Sequence, residues 1–422
     1  MHDIDRREIS VRQDRAKGLA ARGRFPALDG IRGVAVLAVM CYHFTEGYPR
    51  RYIEAGSLHG VLAQLLNVSW AGVDLFFVLS GFLITGILID SKGAPNYFRN
   101  FYMRRVLRIM PLYYGLLVVL FVITPHVHTF DRAVRPHLWE QVWLWFYAAN
   151  FYQVVAAHSL MKTFHVQHLW SLAVEEQFYL MWPLVIFQTR ARTAAKISVF
   201  CIFAALILRI VLWEDHVSAE TIWNLTFCRM DGLAVGALCA FLVRRSASRR
   251  YLSVGARVAS MTAAVGLLGI LWWRRTWYWD DPIMETFGIW LLGIGFGGLL
   301  LLSLDAPGRN AVRWVFRRRT LATFGFYSYA LYVFHYPLIV LDKKLFPISS
   351  LSAHLHSLTL AVAIYTLAST AFSFTAAWLS WHLYEKHFIK LKVRFALPTA
   401  PAPALVPVGA VAQATGPALV SS

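Results

Sequence analysis

Apolar stretches of about membrane-spanning length recur along almost the whole chain, near residues 27–46, 69–89, 110–125, 138–154, 168–188, 196–213, 221–243, 254–273, 284–304, 320–341 and 358–384. A helix of about 20 apolar residues crosses the hydrocarbon of a bilayer, so these eleven runs leave no room for a large soluble domain. The balance of residues agrees: 58% are apolar and 15% aromatic, with a mean hydropathy of +0.50, well above a soluble domain. The expected fold is an all-α polytopic membrane protein.

The net charge of +18 does not point to nucleic acid, because the arginines sit in short loops between apolar runs rather than along one stripe. Cys41, Cys201, Cys228 and Cys239 fall inside apolar segments without zinc or disulfide spacing and read as packing residues. Residues 1–24 are polar and Arg-rich, and the run that follows holds Arg32 and His43, unlike a cleaved signal peptide. They read as a cytoplasmic arm, residues 25–392 as one transmembrane domain, and residues 393–422 as a disordered Pro/Ala-rich tail.

Loop charges orient the spans. The positive-inside rule places the N-terminal arm, 92–108, 190–196, 244–257, 309–319 and 386–394 in the cytoplasm, with acidic 214–220 and 280–285 outside. Eleven crossings break this alternation. The segment 138–154 is short and carries Glu140, Gln141, Asn150 and Gln153, so it is expected to be re-entrant or interfacial. About ten transmembrane helices result, with both termini cytoplasmic. His43, Asp74, His168, Ser171, Glu175, Glu176, Arg229, Asp231 and His335 then fall towards the outer side, where ionisable groups mark a polar cavity.

Arg32 and His43 are eleven residues apart, three turns plus about 20°, and share one helical face about 16 Å apart. His43 suits a general base, or a histidine hydrogen-bonded to a neighbouring helix, with Arg32 a fixed cation or an arginine reaching the interface. His168, Ser171 and Glu175 recur at three and four residues on a stripe that meets Trp182. Glu175 could orient an imidazole, or bond to nearby Arg or Tyr. Arg105 and Arg108 are neighbours at the cytoplasmic mouth and suit a phosphorylated ligand, or serve as a stop signal beside anionic lipid.

Asp74, in Gly72–Phe82, is a site residue or the partner of a buried Arg, and Arg229 with Asp231 reads as a self-neutralising pair rather than a directly catalytic one. Tyr327, Ser328, Tyr332 and His335 share a face and line the pocket or bond across helices. His126, His128 and His137 lack ligand spacing and no Cys or Asp cluster joins them, so no metal is expected. A secondary transporter with mid-membrane Glu, Asp and His is the rival class, but the halves show no internal duplication.

In order and spacing, LDGIRGVAVLAVMCYHF, GVDLFFVLSGFLIT, YMRRVLRIMPLYY, HLWSLAVEEQFYLMWP, RMDGLAVGAL and FGFYSYALYVFHYPL resemble the acyltransferase 3 family over roughly residues 25–392. The resemblance implies a ten-helix bacterial inner-membrane enzyme that moves an acyl group, commonly acetyl, from cytoplasmic acyl-CoA to a hydroxyl of a surface or exported carbohydrate or lipid-linked glycan. Some members modify small molecules such as macrolides instead. It implies that His43 is the catalytic histidine of an R-x10-H motif begun by Arg32, that Arg105 and Arg108 handle the acyl-CoA, and that Glu175 is the acidic residue after HLWSL. Glu175 or Asp74 would hold the His43 ring, with His168, Ser171, Tyr332 and His335 beside the substrate. Some longer relatives carry an esterase-like domain after the last span, which the tail here is not expected to supply.

Overall fold

The structure, a computed structural model, describes residues 26–45, 65–124, 139–155, 160–245, 249–304 and 311–395. The expected arm (1–24), most of the expected tail and the three loop histidines lie outside these residues. Every regular element among the described residues is helical. Ten are long: α1 (Pro26–Phe44), α2 (Gly72–Ser91), α3 (Tyr97–Val118), α4 (Trp170–Gln188), α5 (Ala191–Glu214), α6 (Thr226–Arg245), α7 (Arg249–Arg274), α8 (Ile289–Ser303), α9 (Arg319–Leu345) and α10 (Leu358–Ser380).

Nine of the ten belong to candidate spans long and apolar enough to cross a membrane, by length and composition. The exception is α4. Its 19 residues rise about 28 Å, enough to cross, but Glu175, Glu176 and Gln177 interrupt its apolar run. Two of the residues that remove α4 from the apolar set, Glu175 and Glu176, are among those expected in a polar cavity.

The segment 138–154 holds no crossing helix. It forms the short helices Val142–Trp145 and Ala149–Val155, separated by Tyr147 at a φ of 52°. Tyr113 and Tyr114 of α3 donate to the Leu144 and Trp145 carbonyls at 2.8 and 3.0 Å, and Asn150 donates to Thr226 at 2.9 Å. The α3 tyrosines, through its carbonyls, and its own Asn150 therefore fasten a folded-back segment onto α3 and α6.

The bundle is turned outward for lipid. On α7 Val254, Val258, Met261, Val265, Leu268 and Trp272, spaced by three and four, are 49% to 73% exposed, and such a continuous apolar stripe needs hydrocarbon around it. Inside, α1 packs on α9, α2 on α6, and α2 also meets α1 and α4. Small residues allow these contacts: a Cβ on Gly325 would meet the Asp29 carbonyl oxygen at 1.7 Å, and one on Gly33 the Leu321 oxygen at 2.0 Å. Gly81 and Gly236 do the same between α2 and α6, at 1.9 and 2.0 Å, as the small residues of Gly72–Phe82 suggest. The chain is thus a multi-pass membrane bundle with α1 held against α9, backbone to backbone.

Candidate active site

Three histidines from three elements meet at one end of the bundle. His43 is the penultimate residue of α1, His168 lies in the turn Gln167–Leu169 that leads into α4, and His335 is in the second half of α9. His43 Nδ1 is 2.9 Å from His335 Nε2, and the His168 ring centre is 5.1 Å from that of His335 and 6.4 Å from that of His43. The Tyr336 ring lies 4.3 Å from the His43 ring, tilted by 36°.

The tyrosine one turn back ties this group to α4. Tyr332 Oη donates to the His168 carbonyl at 2.9 Å and bonds Ser171 Oγ at 2.5 Å. Pro337 has no N–H for the Val333 carbonyl, and that carbonyl and the Tyr332 carbonyl lie beside the His168 ring. Neither His168 nitrogen makes a hydrogen bond of standard geometry. A cavity of about 250 Å³ opens here, lined by His43, His168, Tyr332 and Tyr336, by the indoles of Trp70, Trp170, Trp223 and Trp279, and by the amides of Gln153, Gln167 and Asn224. Aromatic faces and amides around an imidazole suit a ligand rich in hydroxyls.

The cations gather at the opposite end. Arg105 and Arg108 of α3 both act electrostatically with Arg32 of α1. Arg105 lies over the Phe101 and Tyr179 rings at 5.8 and 5.9 Å. Arg104 donates to the carbonyls of Lys392 and Phe395, both at 3.4 Å, so the stretch after α10 folds across α3 and brings Lys392 into the same field. Lys392 joins this cluster although its place in the basic run 386–394 signals topology alone.

Glu175 joins the two ends rather than holding an imidazole. Its carboxylate accepts from Ser80 at 2.8 Å and from Tyr179 at 3.0 Å, while Tyr179 faces Arg105 and Glu176 acts electrostatically on Arg105. On the same stripe Trp182 donates to Thr85 at 2.8 Å. From His168 in the preceding turn through Ser171 and Glu175 to Tyr179, one face leading along α4 is therefore polar, as its spacing predicts, with Ser171 and Tyr179 buried and Glu175 half-buried. The ring of His43 lies against His335 instead, while the hydrogen bonds of Glu175 and Asp74 go to Ser80, Tyr179 and Arg229.

Asp74 pairs with Arg229 at 2.7 Å, and Asp231 pairs with Arg209 of α5 at 2.7 Å, all four side chains being buried. Arg229 and Asp231 thus do not neutralise each other, because residues two apart on a helix point in different directions. Each charge pairs across helices. Arg229 also lies 4.3 Å over the Trp223 ring and 5.6 Å over Trp170, so the Asp74 pair supports two walls of the cavity. Tyr327 stands apart, packed on Phe374 of α10. Among the described residues, no group of three or more His, Cys, Asp or Glu could hold a metal ion.

Comparison with known proteins gives this arrangement a family. The acyltransferase 3 model, described as an acyltransferase domain, matches residues 25–380. The Bacillus subtilis (strain 168) protein YrhL is 30% identical over 343 residues, covering 75% of this chain and 49% of YrhL. The peptidoglycan O-acetyltransferase OatA of Listeria monocytogenes is 25% identical over 78% of this chain and 51% of OatA, and the O-acetyltransferase OatA of Staphylococcus aureus 27% over 75% and 50%. The chain spans about half the length of these curated relatives. No solved structure matches it. With its helical membrane bundle, its buried histidines and a family match over most of its length, the chain belongs to the acyltransferase 3 family of acyl-transferring enzymes.

Proposed function

We propose that this protein is a membrane O-acetyltransferase of the bacterial inner membrane, moving an acetyl group from acyl-CoA at its cytoplasmic, arginine-rich end to a carbohydrate hydroxyl at its outer, histidine end. In this reading α4 crosses with the other nine long helices, and both termini are cytoplasmic. The observation that carries it is the polar line along α4, which connects the Arg32, Arg105 and Arg108 cluster to the cavity at His43. Arg32 and His43 are eleven residues apart, about 16 Å along α1, a gap that an extended pantetheine arm can bridge.

The chemistry follows from the geometry. The CoA phosphates sit against Arg105, Arg108 and Lys392, where guanidinium pairs give strong, charge-assisted bonds. The thioester reaches the histidine end, and the acceptor hydroxyl enters from the aromatic cavity. His43 takes the hydroxyl proton as the oxygen attacks the thioester carbonyl. When the tetrahedral centre collapses, the C–S bond breaks and the CoA thiolate takes the proton back from the imidazolium. The relatives named for peptidoglycan O-acetylation support a cell-wall glycan as acceptor.

The test is mass spectrometry of glycans from cells that carry the protein, lack it, or carry His43→Ala. A mass gain of one acetyl unit on a glycan should appear only with the wild type, since losing a positioned base typically costs a hundredfold to ten-thousandfold. No acetylated glycan in any strain, or equal acetylation by a folded His43→Ala protein, would sink the proposal.

A further inference from the structure

His335 occupies a place for which the reaction just described has no role, and its hydrogen bonds determine where its protons are. It is fully buried on α9. Its Nδ1 lies 2.8 Å from the Tyr332 carbonyl oxygen and 3.1 Å from that of Leu331. Carbonyl oxygens only accept, so Nδ1 carries a proton and donates it. No carboxylate bonds to this ring among the hydrogen bonds of the described residues. An imidazolium here would be an unpaired buried charge, so the ring is neutral. A neutral imidazole with its proton on Nδ1 has a bare Nε2 that can only accept.

That lone pair faces His43 Nδ1 at 2.9 Å. His43 Nδ1 must then donate, and a neutral His43 that donates through Nδ1 keeps its lone pair on Nε2. His43 lines the cavity, so the free nitrogen is the one left for the acceptor. We infer that His335 is the positioning residue of a His43–His335 dyad, acting through its Nε2 to hold the His43 ring and place the basic lone pair on His43 Nε2. This rests on the reading of His43 as general base.

Two backbone carbonyls of one turn of α9 thus set the tautomer of a ring on α1, two hydrogen bonds away. The proton inventory closes at each step: the hydroxyl proton moves to His43 Nε2, the imidazolium is stabilised through its Nδ1–H by the His335 lone pair, and the proton leaves from Nε2 to the thiolate. His335 changes neither charge nor tautomer. An aspartate does this service in serine hydrolases, and a neutral imidazole does it here without placing a carboxylate in the bundle.

Two substitutions of similar size separate this role from packing. In His335→Gln the amide oxygen reaches the place of Nε2 and accepts from His43. In His335→Asn the amide nitrogen reaches the place of Nδ1 and donates to the same carbonyls, but no acceptor from α9 faces His43, whose ring keeps only the Val39 carbonyl of its own helix beside it. With purified full-length protein, acetyl-CoA and the glycan acceptor, His335→Asn should lower kcat a hundredfold or more, as loss of the right tautomer does in a triad. Both KM values should stay within about twofold, because substrates do not touch this nitrogen. His335→Gln should recover at least tenfold of the loss.

A packing role predicts instead that both variants lose thermal stability together and turn over alike. ¹⁵N-histidine NMR of the wild-type protein reads the tautomer without any variant, and should show His43 protonated on Nδ1. Normal kcat in His335→Asn, equal kcat in the two variants, or a wild-type His43 protonated on Nε2 overturns the dyad. His43→Ala keeps the two readings apart: if it is active the base role itself fails, and if it is dead while His335→Asn runs normally only the dyad fails.

Discussion

Gly325→Ala adds one methyl group about 15 Å, ten residues, from His335 along α9, and it should damage turnover from there. The new Cβ would lie 1.7 Å from the Asp29 carbonyl oxygen of α1, where ordinary contact begins at 3.4 Å. That oxygen is backbone, so neither partner can rotate away and the helices must separate. If about half of the shortfall of roughly 1.7 Å reaches the histidine end, the 2.9 Å contact between His43 and His335 stretches to about 3.7 Å. A hydrogen bond does not survive at that length. Overpacking of this kind costs about 1–3 kcal/mol of stability, and a misplacement of about 1 Å at a reacting group can cost about a hundredfold in rate. The assay is acetyl transfer per folded molecule in detergent, with thermal melting beside it. Gly269→Ala is the control, because nothing lies within 4 Å of its Cβ. Wild-type turnover in Gly325→Ala would refute the claim that the α1–α9 contact sets the histidine geometry.

Other residues give sharper separations. Asp74→Ala leaves Arg229 buried without its partner and should cost about 3–5 kcal/mol of stability. Replacing both residues with apolar ones should recover most of that, whereas a catalytic Asp74 would lose turnover at unchanged stability in thermal melts. Arg105→Gln with Arg108→Gln should weaken acetyl-CoA binding more than tenfold by calorimetry, with dephospho-CoA as the comparison ligand, and leave acceptor affinity unchanged. Equal donor affinity in mutant and wild type would return both residues to topology alone. A cysteine at Asp215 should react with an impermeant thiol reagent added outside intact cells and one at Arg250 should not, and the opposite labelling would invert the proposed orientation.

The long helices were legible because hydrocarbon leaves little choice. Each crossing segment must satisfy its own backbone and be apolar for about 20 residues, a local property written in consecutive positions. The failure of 138–154 to form a crossing helix was visible for the same reason, in its polar residues and its length. The α4 stripe could also be read, since His168, Ser171 and Glu175 lie at three- and four-residue spacing on one chain segment.

Pairing between segments was not legible. Nothing in consecutive positions says that Asp231 meets Arg209, 22 residues back, or that Asp74 meets Arg229, 155 residues on. Nearness in sequence suggested Arg229 with Asp231, and helix geometry forbids it. The partner of His43 lies 292 residues away, and carboxylates are the more familiar holders of an imidazole, so the sequence pointed to Glu175 and Asp74. The sequence by itself determined a helical membrane protein, its segments and the face that the polar residues of α4 share. Which faces meet was decided only by the tertiary structure, because Gly33 and Gly325 bring α1 and α9 into backbone contact and so set His43 against His335.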